Sequence, residues 1–121
     1  MESPNVLIID DEYDTCLLLS GFIKSRGINA YFANTIVDGL NMLKDRKFKL
    51  VFLDLNLPDG SGLNVISKIK EFDSSIKVII ISAYDGEMEK KRASMKGADD
   101  FVGKPLNREL INHILTSHLS L

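Results

Sequence analysis

Five short apolar runs recur along the chain, and each is followed by a segment whose apolar residues have helical spacing. The runs cover residues 6–9, 30–32, 50–53, 78–81 and 101–102. Short continuous apolar runs that alternate with helices are typical of parallel strands buried on both faces of a sheet. Helical crossovers between such strands are right-handed. The pattern therefore predicts an α/β fold with one (βα)5 domain, a doubly wound parallel sheet.

The predicted helices differ in how many apolar residues they offer to the sheet. The second shows one continuous face, with Ile36, Leu40 and Leu43 spaced four and three positions apart. The fourth, at about Gly86 to Lys96, is much poorer, and its apparent apolar anchors are Met88, Ala93 and Met95. We therefore expect the fourth helix to be the least firmly anchored.

Polar side chains follow four of the five apolar runs at the point where each run ends. They are Asp10-Asp11, Asp54, Ser82 and Lys104. The carboxyl ends of parallel strands share one edge, and ligands bind there where the strand order reverses. The second run ends without a charged group, which fits a strand order of 2-1-3-4-5. The sequence therefore predicts that these side chains converge on a site for a divalent cation and a phosphoryl group.

Taken one at a time, these residues leave simpler interpretations open. Asp11 could be an acid at the start of a helix, but two adjacent carboxylates also suit Mg²⁺, which prefers oxygen ligands. Asp54 could be a turn acid, or a nucleophile that forms an aspartyl phosphate with help from a metal and Lys104. Ser82 could bind a phosphoryl oxygen or cap the loop after its strand. The combination favours phosphoryl chemistry.

Composition excludes other classes of protein. The 121 residues carry a formal net charge of −2, which gives no reason to expect nucleic-acid binding. No apolar run approaches the roughly 20 residues that a membrane-spanning helix needs. Cys16 stands alone and cannot form an internal disulfide. With no secretion signal visible at the start of the sequence, we expect a cytoplasmic protein.

Five motifs in order give the chain a resemblance to the receiver domain of two-component response regulators. They are the apolar run ending in Asp10-Asp11-Glu12, the Asp54-x-x-x-Pro58-x-x-x-Gly62 segment, Ser82-Ala83, Gly97-Ala98-Asp99-Asp100-Phe101 and Lys104-Pro105. The resemblance covers essentially residues 1–121 and implies a flavodoxin-like fold.

The resemblance also implies roles for individual residues. Asp54 would accept a phosphoryl group from a phosphohistidine on a sensor histidine kinase or a histidine phosphotransfer protein. Mg²⁺ would be bound by Asp11 directly, by Asp10 through water, by Asp54, and by the backbone carbonyl of Asn56. Lys104 would pair with the phosphoryl oxygens.

Switching is implied by the same resemblance. Ser82 would move to bind a phosphoryl oxygen, and Phe101 would turn inward. The surface formed by helix 4, strand 5 and helix 5 would carry the output and offers a possible homodimer interface. Such a domain is a signalling switch that catalyses its own phosphorylation and dephosphorylation, not a turnover enzyme.

Three alternatives are weighed against this interpretation. A flavodoxin-like nucleotide binder should place a phosphate-binding loop where Asp10-Asp11-Glu12 stand. A hydrolase of the haloacid-dehalogenase type needs an acid at Asn56. A pseudo-receiver that only binds partners is expected to lose one of the acidic or Lys positions, and none is lost. His113 and His118 lie on the last helix, where we expect them to face solvent rather than donate phosphate.

Overall fold

Five parallel strands alternate with five helices in the computed structural model, which describes residues 3–120. The strands of the sheet are β1 (Asn5–Ile9), β2 (Asn29–Ala33), β3 (Leu50–Asp54), β4 (Lys77–Ser82) and β5 (Asp100–Gly103). The helices are α1 (Tyr13–Lys24), α2 (Ile36–Asp45), α3 (Ile66–Phe72), α4 (Glu87–Met95) and α5 (Arg108–Leu119). The predicted alternation of strands and helices is confirmed.

The sheet has the predicted order. The strands run β2-β1-β3-β4-β5 and every neighbouring pair is parallel. One apolar cluster joins the sheet to α1 and α5, and a second joins its other face to α2, α3 and α4. The order reverses between β1 and β3, so a crevice forms at their carboxyl ends.

Helix α4 is held more loosely than its sequence predicts. Within α4, all of which is described, Ala93 is the only buried residue. Met88 and Met95, which we expected to anchor the helix, are 67% and 78% exposed. That expectation was wrong because the helix is so short of apolar residues that only one turns toward the sheet. The weak anchoring of α4 is nevertheless confirmed.

The connection from β3 to α3 folds back on itself in a tight hairpin. Asn56 pairs with Ser61 and Leu57 with Gly60, and the N–H of Gly62 donates to the carbonyl of Leu55 at 2.8 Å. A Cβ at position 62 would collide with the carbonyl oxygen of Asp54. Gly62 is therefore required for the hairpin to lie this close to the end of β3.

We predict that Gly62→Ala lowers the free energy of unfolding by about 1–3 kcal/mol, since the backbone of β3 must move to admit a methyl group. Gly21, exposed on α1 with open space around it, is a matched control. Gly21→Ala should raise the free energy of unfolding by roughly 0.5–1 kcal/mol. Urea unfolding measures both, and equal effects of the same sign would contradict the proposed crowding.

Candidate functional site

The ammonium of Lys104 lies among three carboxylates at the carboxyl edge of the sheet. Its Nζ is 2.6 Å from Glu12 Oε1, 3.0 Å from Asp10 Oδ2 and 3.4 Å from Asp54 Oδ2. The Lys104-Pro105 peptide bond is cis, and the N–H of Lys104 donates to the carbonyl of Ser82 at 2.7 Å. The predicted convergence of β1, β3 and the residue after β5 is therefore present.

Asp10 is held in place by four hydrogen bonds. Its N–H donates to the carbonyl of Ala33 at 3.0 Å, and its own carbonyl accepts from Asn34 Nδ2 at 2.8 Å. Its Oδ1 accepts from the N–H of Glu12 at 2.8 Å. Cys16, whose pKa is raised to about 12 by burial and then by the charge of Asp10, donates from Sγ to the same carbonyl. The position of Asp10 is thus fixed, and with β1 it forms one side of the site.

Asp54 is buried and still able to ionise near neutral pH. Its side chain lies at the end of β3 and the residue is 5% exposed, with Oδ1 accepting from the N–H of Asn56 at 3.2 Å. Burial, followed by the negative charge of Asp10, raises the pKa of Asp54 to about 6. Ionised at neutral pH, the carboxylate is little solvated and available to react.

The pKa of Lys104 is raised as well, which for an ammonium favours the charged form. Burial alone would lower its pKa, but the hydrogen bond to Glu12 and the contacts with Asp10 and Asp54 outweigh burial and raise the pKa above its ordinary value. The ammonium therefore stays charged throughout the physiological range.

The acidic group fits a hard cation. Oxygen atoms of Asp10, Glu12 and Asp54 all lie within 4.8 Å of one another, and one ammonium serves all three carboxylates. Asp10 Oδ2 is buried and receives no well-aligned hydrogen bond from any described residue. A buried carboxylate oxygen with spare capacity beside two other carboxylates is the donor set that Mg²⁺ or Ca²⁺ uses.

This group of carboxylates and the acids predicted to bind the metal share Asp10 and Asp54 and differ in two residues. Asp11 is exposed and lies outside the group, whereas Glu12, which was not among the predicted site residues, belongs to it. The sequence did carry a signal for Glu12, since it extends the acidic run after β1. Both acids are exposed, and periodicity could not show which of them contacts Lys104.

The two predicted switch residues lie on the neighbouring strands. Ser82 is fully buried at the end of β4, and its Oγ accepts from the N–H of Tyr84 at 3.0 Å. Phe101 on β5 is partly buried and packs against the apolar cluster on the face covered by α2, α3 and α4. Ser82 therefore lies at the end of the strand next to that of Asp54, and Phe101 links its strand to the face that carries α4.

His118 does not face solvent as expected. Its Nε2 lies 3.0 Å from Asp100 Oδ2, and its side chain is 17% exposed. Asp100 begins β5, so this pair lies at the amino end of the strand, away from the carboxylates. His113 is exposed, as predicted.

The family follows from comparison with known proteins. The response regulator receiver domain family model matches residues 6–116. The chain belongs to this family. It is a receiver domain of two-component response regulators, a signalling module whose members receive phosphoryl groups from histidine kinases or phosphotransfer proteins and bind Mg²⁺ at an acidic pocket.

Relatives include both single receivers and longer regulators. The receiver domain is 33% identical to the chemotaxis protein CheY of Treponema pallidum, covering 94% of this chain and 81% of that protein. It is 38% identical to the KDP operon transcriptional regulatory protein KdpE of Escherichia coli, covering 84% of this chain and 44% of KdpE. The chain spans from about a quarter to a half of the length of several transcriptional regulators that it matches.

Solved receiver structures share the fold over nearly the whole chain. A two-component response regulator from Clostridium difficile superposes with a TM-score of 0.92 at 27% identity, covering 98% of this chain and 97% of that one. CheY from Borrelia burgdorferi, solved as a CheX-CheY-BeF3-Mg²⁺ complex, gives 0.87 at 33% identity and covers 94% and 87%. The flavodoxin-like order is therefore confirmed. In the part of the chain that the structure describes, no helix is long and apolar enough to cross a bilayer.

We predict that Asp54→Asn stabilises the metal-free protein at neutral pH. Because the pKa of Asp54 rises from 3.8 to about 6 on folding, the folded state binds the proton more tightly, and stability falls as pH rises through this window. The variant lacks this loss, so its advantage at pH 7.5 should be on the order of 1–3 kcal/mol. Near pH 4 the advantage should largely vanish.

Urea unfolding in EDTA at both pH values measures the difference. Glu71→Gln, which removes an exposed carboxylate on α3, is the control and should change stability by less than about 0.5 kcal/mol. If the Asp54→Asn advantage were the same at pH 4 and pH 7.5, burial of the ionised carboxylate could not be its cause.

Proposed function

We propose that Asp54 accepts a phosphoryl group from a phosphohistidine on a sensor histidine kinase or a histidine phosphotransfer protein, and that the domain later hydrolyses the aspartyl phosphate. The observation that carries this proposal is the buried Asp54 carboxylate with the Lys104 ammonium 3.4 Å from its Oδ2. A nucleophile and a fixed counter-charge thus stand together at the edge of the sheet.

The transfer involves only the Asp54 carboxylate and the phosphohistidine of the donor. A carboxylate oxygen of Asp54 forms a bond to phosphorus while the bond from phosphorus to the donor's imidazole nitrogen breaks, and the imidazole leaves. Lys104 Nζ stabilises the negative oxygens, since preorganised positive charge at the developing charge accelerates such reactions. In the later hydrolysis, water attacks phosphorus and the bond from phosphorus to the Asp54 oxygen breaks. Inorganic phosphate is released, and Asp54 is again a free carboxylate.

Mg²⁺ is the cation we assign to the site. The residues proposed to hold it are Asp10, Asp11, Asp54 and the backbone carbonyl of Asn56, and the geometry adds Glu12 as a candidate. Asp11 is exposed and lies outside the group formed by Asp10, Glu12 and Asp54. When bound, the cation supplies positive charge that offsets the phosphoryl oxygens. A structure of a Burkholderia pseudomallei response regulator that resembles this chain contains a phosphorylated aspartic acid and a calcium ion.

We predict that exposure to a small phosphodonor such as phosphoramidate with Mg²⁺ adds one phosphoryl mass to the protein, and that EDTA prevents it. Asp54→Asn should gain no mass. Lys104→Ala should react at least about 100-fold more slowly, because the single counter-charge is lost. Intact-mass spectrometry follows all four conditions.

The control is Lys91→Ala, which removes an equal charge from the exposed face of α4. It should react at the rate of the unchanged protein. Equal mass gain by the unchanged protein and by Asp54→Asn would remove Asp54 from its proposed role.

Output is assigned to the surface formed by α4, β5 and α5. Ser82 would bind a phosphoryl oxygen and Phe101 would turn further into the apolar cluster, which biases α4 because only Ala93 anchors that helix. We propose the same surface for a homodimer.

We also propose that the segment acts in the cytoplasm, where the buried free thiol of Cys16 remains reduced, and that with its net charge of −2 it does not itself bind nucleic acid.

We predict that beryllofluoride with Mg²⁺, a mimic of the phosphoryl group, changes amide hydrogen exchange in α4 and β5 more than in α1 and β2. The reason is that loosely anchored elements shift first when one of two states is stabilised. Asp54→Asn is the control, since it lacks the carboxylate that binds the mimic. Identical exchange in α4 and β5 with and without the mimic would contradict the assigned surface.

A further inference from the structure

One side chain, Asp59, attaches the β3–α3 hairpin to the first turn of α2. Its Oδ1 accepts from the N–H of Ile36 at 2.9 Å, and its Oδ2 accepts from the N–H of Val37 at 3.1 Å. First-turn N–H groups have no acceptor within their own helix, and a carboxylate is favoured there by the helix dipole. Chiefly through its bond from Ile36, the pKa of Asp59 is held below its usual range, so the contact is charged at neutral pH.

On one side of this contact the hairpin leads to the phosphoacceptor. Asn56 lies on the hairpin strand opposite Ser61, and its N–H donates to Asp54 Oδ1 at 3.2 Å. The position of the hairpin therefore sets where the backbone of Asn56 stands and how the Asp54 carboxylate is oriented.

On the other side of the contact, the corner between β2 and α2 leads to Asp10. Asn34 immediately precedes the cap residue of α2, Thr35, and donates from Nδ2 to the carbonyl of Asp10 at 2.8 Å. The carbonyl of Ala33 accepts from the N–H of Asp10 at 3.0 Å. The start of α2 and the β1 wall of the site are thus one bonded unit.

Asp59 closes a ring between these two units. The walls of the acidic site belong to β1 and to β3 with its hairpin, and Asp59 ties the hairpin to the element that is bonded to Asp10. We propose that Asp59 is a positioning residue that sets the separation between the Asp10 and the Asp54–Asn56 walls, and so the affinity for the cation. Asp59 itself touches none of the reacting atoms. The inference rests on the proposed Mg²⁺ site and extends it to a residue outside that site.

Mg²⁺ affinity, measured on the unphosphorylated chain through amide NMR shifts, tests the inference without relying on activity. Asp59→Ala removes both acceptors, and its dissociation constant should rise about 10-fold or more, as residues that orient metal ligands indirectly do. Asp59→Asn keeps one acceptor, and its dissociation constant for Mg²⁺ should lie between those of the unchanged protein and Asp59→Ala. Asp38→Ala is the matched control, because Asp38 is exposed in the same first turn of α2 and carries the same charge. It should bind like the unchanged protein.

A positioning role also differs from a general loss of stability in its kinetics. With a small phosphodonor, Asp59→Ala should need more Mg²⁺ to reach half its maximal rate, and saturating Mg²⁺ should restore most of that rate. All measurements are made at a temperature where urea unfolding shows each variant to be folded, and Asp59→Asn serves if the Ala variant is not. Unchanged Mg²⁺ affinity in the Asp59 variants, or an equal loss in Asp38→Ala, overturns the inference alone. Absence of Mg²⁺ binding by the unchanged protein overturns the proposed site as well.

Discussion

Two carboxylates buried at the end of a parallel sheet share one ammonium among residues 3–120, and the properties of the site depend on that imbalance. Asp10 is fully buried, Asp54 nearly so, and Lys104 lies within 3.4 Å of both. Burying charge is costly, and one ion pair does not offset two buried carboxylates. The site is therefore short of positive charge as it stands. A divalent cation would relieve that shortage, and the same carboxylates keep Lys104 protonated beside Asp54.

The two buried carboxylates stay close together despite their repulsion because the register of the sheet holds them at the ends of adjacent strands. Ile9 pairs with Leu53, so Asp10 and Asp54 are the next residues along two adjacent strands. Asp54 in turn pairs with Ile81, which places Ser82 one residue further along β4. A slip of one residue would turn each side chain to the opposite face of the sheet, and the apolar residues before it would turn as well. The buried strands thus enforce the geometry that the carboxylates alone would oppose.

The sequence was sufficient to predict the sheet, its strand order and the residues at four strand ends. Buried parallel strands leave continuous apolar runs, and the polar residue that ends each run marks the shared edge. The sequence could not show contacts between residues that are far apart in the chain. Glu12 and Lys104 are in contact although 92 positions separate them. Asp59 lies in a Pro-Asp-Gly turn, and nothing in that motif indicates its hydrogen bonds to α2. Met88 has the residue type of a core position and yet faces solvent.

The three carboxylate partners of Lys104 are not equivalent, because they differ in their exposure to solvent. Glu12 makes the shortest contact, but its side chain is 62% exposed, whereas those of Asp10 and Asp54 are 0% and 8% exposed. An ion pair with an exposed partner contributes about 0–1 kcal/mol, because water solvates the carboxylate once it is released. Releasing Asp10 would instead leave a buried charge without its counter-charge. Under the proposed function, phosphoryl oxygens would compete for the ammonium, and Glu12 is the partner that Lys104 would exchange at least cost.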